Sequence, residues 1–119
     1  TFETTEEKVH YLVHNRMTYL KKNRALIKII FHEIFSNNQL RNEQKFIWNT
    51  IQDKLHTLHK KLLADPRVDP ELTISQMARI CVGPLLAYFA QLYIIGDNGE
   101  IREEDLDLLE KQILGGLWK

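Results

Sequence analysis

The chain holds one cysteine, three prolines and five glycines among 119 residues, and no excess of either charge. With Cys81 alone, no disulfide forms within the chain, and a reducing, cytoplasmic setting is expected. Sixteen Lys and Arg against sixteen Asp and Glu give a formal net charge of zero. The basic excess of a nucleic-acid-binding chain is therefore missing. The longest apolar stretch, Ile80 to Ile95, is broken by Gly83, Pro84 and Gln91. It is shorter than the roughly 20 residues of a membrane span, and neither a transmembrane helix nor a signal peptide is expected. No Gly-rich phosphate loop, Gly-x-Ser-x-Gly elbow or Cys-x-x-Cys pair occurs, and Cys81 has no base near it in sequence. Nucleophilic catalysis thus has no candidate residue, so neither enzymatic activity nor a cofactor is expected.

What is present fits one compact domain spanning residues 1–119. Hydrophobic residues make up 44% and charged residues 27% of the chain, ordinary values for a folded globule. The balanced charge conceals a split: residues 1–64 carry eleven basic and six acidic side chains, a net of +5, and residues 65–119 carry five and ten, a net of −5. The halves attract one another. The chain starts at Thr1 and enters a helical pattern almost at once, so it is expected to be a fragment of a longer protein.

Periodicity predicts helices over about 5–22, 24–36, 39–63, 70–95 and 102–115, with no strand-type alternation. Thr4 through Glu7 reads as a capping box, and Val9, Leu12, Val13, Met17 and Leu20 then share one helix face. Asn23 can cap a second helix, apolar nearly all round through Leu26, Ile27, Ile29, Ile30, Phe31, Ile34 and Phe35. Ser36-Asn37-Asn38 marks a break, after which Phe46, Ile47, Trp48, Ile51, Leu55, Leu58 and Leu62 keep helical spacing. Asp69-Pro70-Glu71 is a helix start signal, and the helix after it should kink at Pro84 and close at Gly96-Asp97-Asn98-Gly99. Leu106, Leu109 and Ile113 form the stripe of the last helix, which Gly115-Gly116 should stop in the left-handed conformation.

His10 and His14 are four apart and His56 and His59 three apart, so each pair shares a helix face and offers two imidazoles. Further carboxylate ligands are poorly placed in the sequence, and solvated helix-face histidines with no metal are the expectation. Lys21, Lys22 and Arg24, flanked by Arg16 and Lys28, form a basic cluster that reads as a solvated turn. Met17, Phe31, Phe35, Trp48, Met77 and Tyr88 occupy core-facing positions, with polar edges at His14, Tyr88 and Gln91. Such a set suits either plain packing or an apolar cavity for a flat organic ligand. The last two helices carry more apolar surface than five helices can cover, so pairing with a second copy in an isologous interface is expected.

Tyr19 through Ile27 leading into Phe31-His32-Glu33, Asp69-Pro70-Glu71-Leu72, Val82-Gly83-Pro84-Leu85-Leu86 and the closing Ile113-Leu114-Gly115-Gly116-Leu117 resemble the C-terminal domain of TetR-family regulators, the AcrR-like branch in particular. The resemblance implies an all-α antiparallel bundle of five to six helices that binds a small, mostly apolar effector and dimerises through its last two helices. It implies a ligand pocket lined by His14, Met17, Ile30, Phe31, Ile34, Trp48, Ile51, Met77, Cys81 and Tyr88. The implied dimer interface comprises Leu86, Phe89, Tyr93, Leu106, Leu109, Ile113 and Leu117. Operator DNA would be held only by an N-terminal helix-turn-helix, which this sequence lacks; a helical protein-protein interaction module without a small-molecule ligand is the alternative.

Overall fold

A computed structural model describes residues 4–36, 41–96 and 99–119, and of residues 34–36, 41–48, 50 and 51 the backbone alone. Among the described residues the chain is all-helical. Its elements are α1 (Thr5–Lys22), α2 (Arg24–Ser36), α3 (Arg41–Leu63), α4 (Ile74–Ala90), a π-helical turn (Gln91–Ile95) and α5 (Glu103–Leu117). The expected break at Asn37–Asn38 and the centre of the expected turn at Asp97–Asn98 lie outside the described residues.

The Thr4 half of the expected capping box starts α1: Thr4 is extended and its hydroxyl accepts the Glu7 amide at 3.1 Å. Asn23 acts differently from expectation: its side-chain amide donates to the Tyr19 carbonyl at 2.9 Å and so caps the end of α1 rather than the start of α2. α2 is less enclosed than its composition predicts, with Leu26 and Ile29 more than half exposed. α4 starts four residues later than predicted. Asp69 accepts the Glu71 amide in a local turn, while Thr73 and Gln76 form a reciprocal capping box that sets the true start. The box satisfies two orphan amides where the Asp69 turn satisfies one, so the later signal prevails.

α4 passes through Gly83 and Pro84 and merges with the π turn, giving one continuous helix from Ile74 to Ile95. This single helix is long and apolar enough to cross a membrane by length and composition, which corrects the shorter stretch read from the sequence. Its buried face, Met77, Cys81, Leu85, Tyr88, Phe89 and Tyr93, is taken up by packing inside the chain. The π turn ends at Gly96, where a Cβ would collide with the Gln91 carbonyl, so glycine is required by close approach. The predicted left-handed stop at Gly115-Gly116 does not form. α5 runs through both glycines to Leu117, and Gly116 lets the helix approach Ile80, whose Cγ2 would lie 2.7 Å from an added Cβ.

The core joins one stripe from each of three helices. Val9, Val13 and Met17 of α1 meet Met77, Cys81, Leu85 and Tyr88 of α4 and Leu106, Leu109, Ile113 and Leu117 of α5, with Leu62 of α3 and Val68 of the connector closing one end. Burying an aliphatic or aromatic side chain of this size contributes about 1.5–3 kcal/mol. This cluster therefore dominates the favourable side of folding.

Candidate functional site

The seam between α1 and α5 gathers ionisable groups. His10 and His14, one turn apart on α1, bring their ring centroids within 4.1 Å. Opposite them on α5 stand Glu103 and Glu110, seven residues and two turns apart. His10 Nδ1 lies 2.6 Å and His14 Nδ1 3.4 Å from Glu110 Oε1, and His14 Nε2 lies 3.2 Å from Glu103 Oε2. His14 Nδ1 also faces the His10 carbonyl at 2.9 Å. Partial burial lowers the His14 pKa, but the His10 carbonyl and the Glu103 and Glu110 carboxylates outweigh it and leave the imidazole above its ordinary value. His14 is thus a half-buried, paired group rather than the solvated histidine expected. His59 departs from that expectation too, since its Nε2 donates to the Leu72 carbonyl at 2.7 Å and ties α3 to the approach of α4.

A second polar assembly holds the N-terminus of α1. Arg67 reaches Glu6 with two guanidinium nitrogens, at 2.6 and 3.1 Å, and Asp65 at 2.8 Å, and its guanidinium carbon lies 4.6 Å from the centre of the Trp118 ring. The Thr5 hydroxyl donates to Asp65 Oδ2 at 2.7 Å. Hydrogen bonds from Arg67 hold both the Asp65 and Glu6 carboxyls below their ordinary pKa values. Asp69 N–H donates to Leu117 O and Lys119 N–H to Arg67 O, so the connector from α3 is fastened to both ends of the chain. No short motif in the sequence announces this clasp, because its members come from positions 5, 6, 65, 67 and 118.

The residues expected to line a ligand pocket divide into groups. Met17, Met77, Cys81 and Tyr88 are packed together in the core cluster. Burial pushes the Cys81 thiol up to about 12, so it stays protonated and unreactive. The Tyr88 hydroxyl, expected as a polar edge, donates to Asp105 at 2.8 Å and accepts the Arg102 amide at 3.2 Å, so it satisfies the N-cap amide of α5 that an N3 side chain takes in a capping box. Burial raises its pKa. His14 belongs to the α1–α5 seam. Ile30 and Phe31 are half-buried on α2, with Phe31 stacked against Phe89 at 6.1 Å between centroids. Ile34, Trp48 and Ile51 lie outside the described side chains. Concave surface is found elsewhere, in an open groove beside His56, His59, Lys60 and Leu63 and in another beside Glu6, Arg67 and Trp118.

The expected interface residues are displaced in the same way. Phe89, Ile113 and Leu117 have no exposed surface, Tyr93, Leu106 and Leu109 have almost none, and Leu86 is half-buried. All but Leu86 are taken by the chain's own packing, because a single core claims the widest apolar stripe of each helix before any partner can. The stripes left open are narrower. On α4 and the π turn Ala87, Ile94 and Ile95 are exposed, with Gly83 and Ala90 half-buried beside them in sequence register, and on α5 Leu108, Gln112 and Gly115 are exposed. An added Cβ at Gly83 or Gly115 would meet open space. The basic cluster is exposed as expected, with Arg24 lying 6.0 Å above the Tyr93 ring. No family model, curated protein or solved structure matches the chain.

Proposed function

We propose that the chain is the effector-sensing and dimerisation domain of a TetR-like, cytoplasmic transcriptional repressor. The observation that carries this reading is the small and apolar surface that α4 and α5 leave uncovered. Small residues at Gly83, Ala87, Ala90 and Gly115, together with exposed Ile94, Ile95 and Leu108, offer a surface onto which the same two helices of a second copy can pack closely. A two-fold axis through it joins four helices in an isologous interface, and stable interfaces of this kind bury about 1,200–2,000 Å². α1 packs against both α4 and α5, so a displacement of α1 is felt at the helices that pair.

In this reading a small, mostly apolar effector inserts beside Ile30 and Phe31 and displaces α1. The shift moves the helix-turn-helix heads of the parent protein off two operator half-sites. Coupling of about 1–3 kcal/mol gives a 5- to 150-fold loss of operator affinity. Sedimentation velocity across micromolar concentrations tests the pairing: a dimer that Leu108→Glu converts to a folded monomer is expected. A wild-type chain that stays monomeric overturns the reading, because two-headed operator binding requires the pair.

A further inference from the structure

We infer that His10, His14 and Glu110 form a binding site for a divalent cation of the zinc type, with Glu103 as the outer partner of His14. This inference rests on the α1–α5 seam and does not depend on the repressor reading.

Three donor atoms, one from each of these side chains, lie within 4.8 Å of one another. Zinc takes nitrogen and oxygen ligands at about 2.0–2.1 Å, so tetrahedral donors stand about 3.4 Å apart. The His14 Nδ1 to Glu110 Oε1 separation is already 3.4 Å, and His10 Nδ1, now 2.6 Å from the same oxygen, has to withdraw by less than 1 Å. His10 can do so easily, since its side chain is 60% exposed. Glu110 Oε1 is shielded from solvent, and the imidazole nitrogens stand beside it without completing a hydrogen bond. A buried carboxylate oxygen left in that state is costly, and a cation between it and the two rings satisfies it.

The arrangement around His14 completes the case. A metal-bound histidine usually donates its other ring N–H to a carboxylate, which fixes the tautomer and raises the basicity of the ligand. For Nδ1 to take the cation, His14 gives up the proton it shares with the His10 carbonyl at 2.9 Å, and Nε2, 3.2 Å from Glu103 Oε2, is in place to carry the remaining N–H and make that bond. Two nitrogens and one oxygen favour zinc-like ions over calcium or magnesium, and three protein ligands leave a fourth position for water. The ion would bridge α1 to α5, elements almost a hundred residues apart.

Zn²⁺ titrated into the full chain by calorimetry, with a chromophoric chelator as competitor, is expected to bind at one ion per chain. Binding should weaken on the order of 10- to 100-fold in Glu103→Gln and at least as much in His10→Ala and Glu110→Gln, while His56→Ala is unaffected. Co²⁺ should give the intense visible bands of a four-coordinate site in the wild type and lose them in His10→Ala. Circular dichroism checks that each variant is folded. His10→Ala decides the matter if Glu110→Gln unfolds, because His10 is exposed and contributes no core packing. Absence of binding, or affinity that persists in His10→Ala and disappears in His56→Ala, overturns the site.

Discussion

Asp65 shows how one half-buried carboxylate can hold distant segments together. It accepts from Arg67 and from the Thr5 hydroxyl, and through Arg67 it is linked to Glu6 at the start of α1. Because these bonds favour the charged form, the Asp65 and Glu6 carboxyls titrate at lower pH in the folded chain than in the unfolded one. The unfolded chain therefore binds more protons over the acid range, and stability falls there as pH falls. The clasp contributes fully above about pH 5, and its contribution fades as pH drops through 4 and below. Asp65→Asn is expected to melt several degrees below wild type at pH 7, with the gap narrowing as pH falls below 4 toward 3. Melts followed by circular dichroism at pH 7, 5 and 3 check this, and a gap of constant size would show that the carboxylate charge plays no part.

At the scale of elements, the α4 boundaries separate local signals from packing. Two start signals compete within five residues, and Thr73 succeeds because Gln76 returns its hydrogen bond. Thr73→Ala should destabilise by about 1 kcal/mol, as loss of an N-cap commonly does, whereas Asp69→Ala should have less effect on α4; urea unfolding distinguishes the two. Gly116 was legible as a stop and serves as a contact. In an open helix Gly→Ala stabilises by roughly 0.5–1 kcal/mol. Here the new methyl meets Ile80 Cγ2, so Gly116→Ala is expected to destabilise, and a raised melting temperature would mean that Ile80 moves aside freely. The helix bounds of α1 and α2 could be read from the sequence because a cap and a one-residue junction mark them. The end of α5 could not, because a glycine pair looks the same whether it breaks a helix or admits a neighbour.

For the molecule as a whole, the sequence revealed which residues are apolar but not which apolar stripe goes inward. His10 and His14 were legible as a pair by spacing, yet Glu103 and Glu110 reach them only through the packing of α5 on α1, which no local pattern encodes. The same limit applies to the residues expected at a dimer interface. Phe89, expected at that interface, is fully buried between Phe31 and Tyr93, with ring centroids 6.1 and 5.2 Å away. Ala87, two residues earlier, is exposed on the opposite side of the helix. Truncating a buried phenylalanine costs about 3–5 kcal/mol, and placing a carboxylate in the space adds desolvation, against a total stability of about 5–15 kcal/mol for a typical domain. Phe89→Asp should therefore unfold the chain or lower its melting temperature severely, whereas Ala87→Asp should stay helical and sediment as a monomer. A folded, monomeric Phe89→Asp would return that side chain to the interface, and a dimeric Ala87→Asp would move the pairing surface away from the open face of α4.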